Sequence, residues 1–386
     1  MTSLPPEAWV AALAGLSGMG PARLGVLLDR WGPEEAWRRV AAGTAHHDPQ
    51  GAAPPTLHPG VTRRWRAEAS RTDVAVTWSA HRRAGIGVAS RGGDAFPEAL
   101  IDDPEPPAVL FWAGDLAALG RPRVAVVGTR RCTHAGRLVA RELGHDLAAA
   151  GACVVSGLAL GIDGAAHAGG LAAGAVPPVA VVGTGLDVVY PRRHAQLWAQ
   201  VAAVGAVISE YPLGTRPDRW RFPARNRVIA ALSDVVVIVE SHSRGGSLHT
   251  VDAAADRGRP VMAVPGPVRS PASAGTNDLL AAGCPPVRDA ADVLVALGLD
   301  CAAAARRPPD PRPPPSDGAA GVLAAVGWEP ATLDQVAERL GQSPGPVAVH
   351  LARLAGGGWL VQHGAWYQRT GPSHTGPPER TGPSRS

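Results

Sequence analysis

Lysine is absent from this sequence, so all 37 basic side chains are arginines. A GC-rich genome that replaces lysine codons accounts for the absence. Its physical consequence is that every permanent cation is a planar fork, suited to phosphate and to stacking on bases. Cysteine is scarce too: Cys132, Cys153, Cys284 and Cys301 show no CxxC spacing, which argues against a disulfide framework or a zinc site. The first residues lack a basic stretch followed by an apolar run, and the longest apolar runs, such as residues 172–182, are broken by Gly and Pro well short of a membrane span. Neither export nor membrane contact is expected, and the chain reads as soluble and cytoplasmic. Aromatic residues make up only 4%, and 11 of them are Trp against three Tyr and three Phe, so the core must lean on Ala, Val and Leu.

What is present points to several domains and one basic surface. A chain of 386 residues exceeds one ordinary core, which favours two or three domains. The net charge of +4 is modest, yet residues 121–234 hold 13 arginines against seven acidic residues, an excess greater than that of the whole chain. Positive charge concentrated in one segment is the footprint of a nucleic-acid binder.

Along the chain, residues 1–85 read as a small helical domain of the helix-hairpin-helix or SAM-like kind. Helical periodicity over residues 7–42 is interrupted at Leu16-Ser17-Gly18-Met19-Gly20-Pro21, a turn able to present backbone N–H groups to phosphate. A plain turn between two helices explains the same residues, and both readings stay open. Residues 46–59 read as a Pro/Gly/His-rich linker or long loop, and 61–83 as a further helix with a short extended segment. Residues 90–300 form the core. Apolar runs at 124–127, 153–156, 179–182, 206–209, 235–239 and 261–264 alternate with helical stretches, and their unbroken β-branched character indicates strands buried on both faces. The fold class is therefore α/β, a Rossmann-like, doubly wound parallel sheet. Residues 301–317 are a Pro/Arg-rich linker. Residues 318–369, with short helices over 319–326, 332–340 and 346–354 and a hairpin over 359–361 and 365–367, have the pattern of a winged-helix domain. Residues 370–386 are expected to be a disordered tail.

The first core strand runs into Gly128-Thr129-Arg130-Arg131, with a helix starting near His134. A helix N-terminus there offers free N–H groups and a positive dipole end to an anion. Ser156-Gly157 through Gly161-Ile162-Asp163 to Ala166-His167, Gly185-Leu186-Asp187 with Tyr190-Pro191, and Ser209-Glu210-Tyr211-Pro212 occupy the corresponding ends of the next strands. Open α/β sheets bind ligands outside those ends. Next comes Arg219-Trp220-Arg221-Phe222-Pro223-Ala224-Arg225-Asn226-Arg227, in which rings alternate with cations. Such interleaving suits a single strand, whose bases stack on rings while guanidinium groups hold the backbone.

These motifs, together with Val126-Val127 ahead of Gly128, Val264-Pro265-Gly266-Pro267 and a leading segment containing Phe96-Pro97, Asp103-Pro104 and residues 107–110, resemble the DprA/Smf family of DNA-processing proteins in family order, over roughly half the chain. The resemblance implies a homodimer that binds single-stranded DNA and helps load RecA recombinase on it during natural transformation, with no cofactor and no catalysis. It implies DNA contacts at Arg130, Phe222, Arg225 and Arg227; the candidate set as a whole is Gly128, Thr129, Arg130, Arg131, Ser156, Gly157, Arg219, Phe222, Arg225, Asn226, Arg227 and Ser247. One departure is Gly245-Gly246-Ser247-Leu248, where many members read Ser-Gly-Ser-Leu. Self-association is expected around residues 277–297, through Leu279-Leu280 and Val293-Leu294, unless both pairs are core.

Several residues admit two readings. Asp163 and His167, four apart, could be an acid/base pair on one helix face, or a helix cap and a packed histidine. Glu210 and Glu240 could bind a ribose, or bond to neighbouring loops. Asp187 is expected to fix its turn through an Asx-type bond, and Asn226 to hold its loop. The rival class is an enzyme, a nucleotide phosphoribohydrolase resembling the lysine-decarboxylase-like family, which shares an Arg-Asn element and a glycine-rich loop. Against it, Ala253 stands where that family's glutamate base belongs.

Overall fold

The computed structural model describes residues 4–45, 57–299, 312–327 and 329–370. The expected linkers lie largely outside the described residues, at 46–56 and 301–311, as does the tail from residue 371. The chain divides into two compact units, Met1–Ala305 and Arg306–Ser386.

The first unit opens with five helices: α1 (Pro6–Ala14), α2 (Pro21–Trp31), α3 (Pro33–Ala42), α4 (Pro59–Ala69) and α5 (Val74–Arg83). The first four begin on proline, whose fixed φ suits a first helical position where no N–H is needed. The single helix expected over 61–83 is two, because the Asp73 carboxylate accepts from Ala75 and Val76 and starts α5 anew. At the α1–α2 turn, Ser17 N–H donates to Glu68 (2.7 Å) and Trp65 Nε1 donates to the Ser17 carbonyl (3.0 Å). A carboxylate of the chain thus takes an N–H that the sequence reading offered to phosphate.

The sheet follows: β1 (Gly87–Ser90), β2 (Val109–Gly114), β3 (Arg123–Val127), α6 (His134–Ala149), β4 (Cys153–Ser156), α7 (Ile162–Ala173), β5 (Val179–Val182), α8 (Ala195–Val204), β6 (Ala206–Ser209), α9 (Arg221–Leu232), β7 (Val235–Ile238), α10 (Leu248–Ala255), β8 (Val261–Ala263), α11 (Ala274–Ala281) and α12 (Ala290–Ala296). The spatial order is β1-β2-β6-β5-β4-β3-β7-β8. The six strands anticipated from apolar runs are all present and parallel, as expected of a doubly wound sheet. An antiparallel pair not anticipated, β1 with β2, extends the edge beyond β6. Every residue of β4 to β7, and of β3 beyond Arg123, is buried. One apolar cluster runs from Ala8 and Leu13 of α1 through Trp37 and Trp65 to Val109, Phe111 and Val207 of the sheet, so the leading helices and the sheet share a core.

Val293 and Leu294 are fully buried in the core, which removes that pair from the expected self-association surface; Leu279 and Leu280 are half-buried.

The second unit contains α13 (Asp317–Val326), β9 (Ala331–Thr332), α14 (Leu333–Leu340), α15 (Pro344–Gly356), β10 (Leu360–His363) and β11 (Trp366–Arg369). Thr332 and Gln335 form a reciprocal capping box that starts α14. Three helices around Val322, Val336, Val347 and Leu351, with the β10–β11 hairpin joined by β9, are the anticipated winged helix. Among the described residues no helix is long and apolar enough to cross a membrane.

Candidate nucleic-acid interface

From β3 the chain steps outward through β4, β5 and β6, and α9 then carries it back to β7 on the other flank of β3. Such a reversal opens a crevice beyond the carboxyl ends of the strands. Three loops meet there. Arg130, exposed after β3, holds its guanidinium 4.8 Å from the ring centre of Phe222 in the first turn of α9. Phe222 in turn packs on Tyr190, from the loop after β5, with centroids 5.4 Å apart and planes tilted by 32°. Tyr211, after β6, meets Trp220 edge-on at 6.2 Å, and the Arg221 guanidinium lies 4.8 Å from Trp220 and 5.2 Å from Tyr211. Arg131, Arg216 and Arg219 are exposed on the same loops. Pro223 sits in the first turn of α9, where a missing N–H costs nothing, so the helix can start directly behind the rings.

The remaining arginines of the segment face inward. Arg225 is 4% exposed and donates to the Val181 carbonyl at the end of β5. It runs beside Gly157, where any Cβ would collide with its guanidinium, so glycine is required there by the arginine. Burial lowers its pKa to about 10, with Asp163 opposing the shift. Asp163 is buried, accepts from Gly157 N–H (3.1 Å), and is pushed up by that burial; it ties the loop after β4 rather than capping α7. His167 is held by burial at about 4 and bonds the Val179 carbonyl, so it is a neutral core residue and no acid/base partner of Asp163. Arg227 is joined to Glu210 in an ion pair and donates to the Glu105 carbonyl (2.6 Å). Burial raises the Glu210 carboxyl to about 7, the adjacent Arg227 opposing.

The N-terminus of α6 is already occupied. Glu240, at the end of β7, accepts from Thr133 N–H (2.8 Å) and from the Thr133 hydroxyl (2.6 Å), while that hydroxyl caps Gly136 N–H (3.0 Å). The anion site offered by the sequence reading is therefore filled from within. Nor is Glu240 a free ribose ligand, and Asp187, expected to close its own turn, instead accepts from Gly214 N–H of the next loop.

The sequence profile described as DNA recombination-mediator protein A matches residues 88–298. The chain belongs to this family. A second profile, the DprA winged helix domain, matches residues 306–364. Among its relatives, Protein Smf of Escherichia coli (strain K12) is 38% identical over 280 residues, covering 71% of the chain and 75% of the relative. DNA processing protein DprA of Streptococcus pneumoniae (strain ATCC BAA-255 / R6) is 40% identical over 205 residues, covering 52% and 71%. The X-ray structure of the Streptococcus pneumoniae protein superposes with a TM-score of 0.62 at 31% identity, covering 76% of this chain and 98% of that one. DNA processing protein A from Helicobacter pylori, whose structure is described for its single-stranded DNA binding mode, gives 0.50 at 30% identity, covering 55% and 95%.

Of the residues the sequence reading selected in this family member, Arg130, Arg131 and Arg219 are exposed, and Gly128, Thr129, Phe222, Asn226 and Arg227 are partly so. Ser156, Gly157, Arg225 and Ser247 are buried. Ser156 donates to the Val126 carbonyl and Ser247 to the Ser241 hydroxyl, Thr129 N–H donates to the Glu240 carbonyl, and Asn226 donates to the Gly246 carbonyl, so these shape the loops. Tyr190, Tyr211, Trp220 and Arg221 were not among the selected residues. Their signal was available: in a chain with three tyrosines, two fall at strand ends of this crevice.

Proposed function

We propose that this member of the DNA recombination-mediator protein A family works by binding: it holds single-stranded DNA on its crevice, passes it to RecA recombinase, and does so as a homodimer in the cytoplasm, without catalysis. The observation that carries the reading is the stack of Arg130 on Phe222 on Tyr190 at the strand ends. A ring beside an open cation takes an unpaired base and its phosphate together, whereas the bases of a duplex have no free face to offer. The structure of the Helicobacter pylori relative, described for single-stranded DNA binding, supports the same choice of ligand. Glu240 supports binding over catalysis on a nucleotide, because it fills the cradle at α6 where a Rossmann-like sheet receives phosphate.

A gel shift with single- and double-stranded oligonucleotides of equal length tests the reading. Preference for the single strand is expected; tight duplex binding without that preference overturns it. Base release from nucleoside monophosphates would overturn the non-catalytic part. Light scattering that reports a monomer at every micromolar concentration would remove the homodimer.

A further inference from the structure

We infer that Trp220 is a second base-stacking position for the same DNA strand, separate from the Arg130–Phe222–Tyr190 stack and prefabricated in the free protein. The inference rests on the single-strand reading and adds to it the residue that receives a further unpaired base.

Trp220 is 51% exposed, more than any other tryptophan among the described residues. Its exposure is not looseness. The indole Nε1 donates to Asp218 (2.7 Å), the ring edge meets Tyr211 at 84°, and the Arg221 guanidinium lies 4.8 Å from the ring centre. Arg221 is itself fixed by donating to the Arg216 carbonyl (2.8 Å). Tyr211, 5% exposed, anchors the assembly, and its hydroxyl has no hydrogen-bond partner among the described residues, so the residue serves there through its ring. Asp218 does not repel a phosphate strongly, because it accepts from Trp220 and lies 4.0 Å from Arg221.

An apolar ring held in water by three contacts has already met the ordering cost that binding would otherwise impose. The occupant follows from what surrounds it. Arg216 and Arg219 are exposed on the same loop, which supplies phosphate neutralisation beside a stacking surface, and that combination fits an unpaired nucleotide.

The test measures anisotropy of labelled oligo-dT, and of an abasic oligomer of equal length, with wild-type, Trp220→Ala, Trp220→Phe and Tyr211→Phe proteins across a salt series. Trp220→Ala should weaken oligo-dT binding about tenfold, equivalent to about 1.4 kcal/mol, with an unchanged salt slope and unchanged abasic binding. Trp220→Phe, which keeps a ring, should recover most of the loss, and Tyr211→Phe should bind as wild type. Wild-type oligo-dT affinity in folded Trp220→Ala overturns the inference, as does an equal loss on the abasic strand. Should Trp220→Ala fail to fold, tryptophan fluorescence decides: oligo-dT should quench the wild type more than Trp220→Phe, and equal quenching overturns the inference. If the wild type itself ignores single strands, the parent reading fails instead.

Discussion

Arginine meets an aromatic ring in both units of this molecule, with opposite consequences. In the C-terminal unit Arg312 lies 3.9 Å from the centre of Trp359 and donates to the Gly358 carbonyl and the Thr370 hydroxyl. Arg339 likewise donates to the Ala325 and Val326 carbonyls at the end of α13. These cations are spent on closing the fold. In the crevice, Arg130 lies on Phe222 with no hydrogen bond to its guanidinium among the described residues, and Trp220 stays half in water. A cation on a ring is free to take a phosphate only where its donors remain unspent. The same contrast divides the crevice itself, since Arg225 and Arg227 are consumed by Val181, Glu105 and Glu210.

The largest effect is expected from breaking the inner group. Arg225→Ala strips the Val181 carbonyl of its donor and removes a cation whose charge favours the buried Asp163 carboxylate, a change that costs about 3 kcal/mol or more. Thermal melting should register a large fall, with DNA affinity lost in proportion to unfolding. A folded variant of normal stability and weak binding would show instead that Arg225 reaches the DNA.

Next come the two partners of the open stack, which should separate by mechanism. Arg130→Ala removes a counterion-releasing contact, so binding should weaken for every sequence and the salt slope flatten by about 0.7. Phe222→Ala removes stacking worth about 1–3 kcal/mol and no charge, so affinity should fall at an unchanged slope. Anisotropy across a salt series, with a melt as control, distinguishes them; normal affinity in folded Arg130→Ala removes that loop from the site.

Glu210 gives the inner group a pH signature. Its folded carboxyl titrates at about 7 against an ordinary 4.5. Between those values the folded chain keeps a proton that the unfolded chain has released, so this residue lowers stability as pH rises through the window. Glu210→Gln abolishes that loss. The melting temperature of the variant minus that of the wild type should therefore climb from pH 4.5 to 7 and level off above. His167, held at about 4, acts oppositely, weakening the fold as pH falls below 6.5, but it is present in both proteins and cancels. A flat difference would sink the assignment.

Much of this was legible in the sequence. Six β-branched runs specified six buried parallel strands, because burial on both faces leaves no polar alternation. The β1–β2 edge was missed: Gly87–Ser90 is four residues long and antiparallel, outside the alternating helix pattern that revealed the others. The burial of Arg225 was not foreseen although its period was visible. Val228, Ile229 and Leu232, three, four and seven residues on, are all buried, so the arginine stands on the apolar stripe of α9. No local pattern could reveal Glu240 at α6, since its bond to Thr133 spans 107 residues.

The smallest effect is expected from the whole C-terminal unit. A winged helix that reads duplex needs cations to neutralise phosphate on its second and third helices. Here α14 carries only Arg339, whose donors go to the end of α13, and α15 only Arg353, which is exposed. The unit holds its own apolar core around Val322, Val336 and Leu351 and is a compact unit by itself. Removing everything after Ala305 should therefore leave single-strand affinity within about tenfold, or roughly 1.4 kcal/mol, with the salt slope unchanged. A greater loss, or a flatter slope, would mean that cations of the second unit also reach the strand, and that spending arginines on a fold does not keep that fold from DNA.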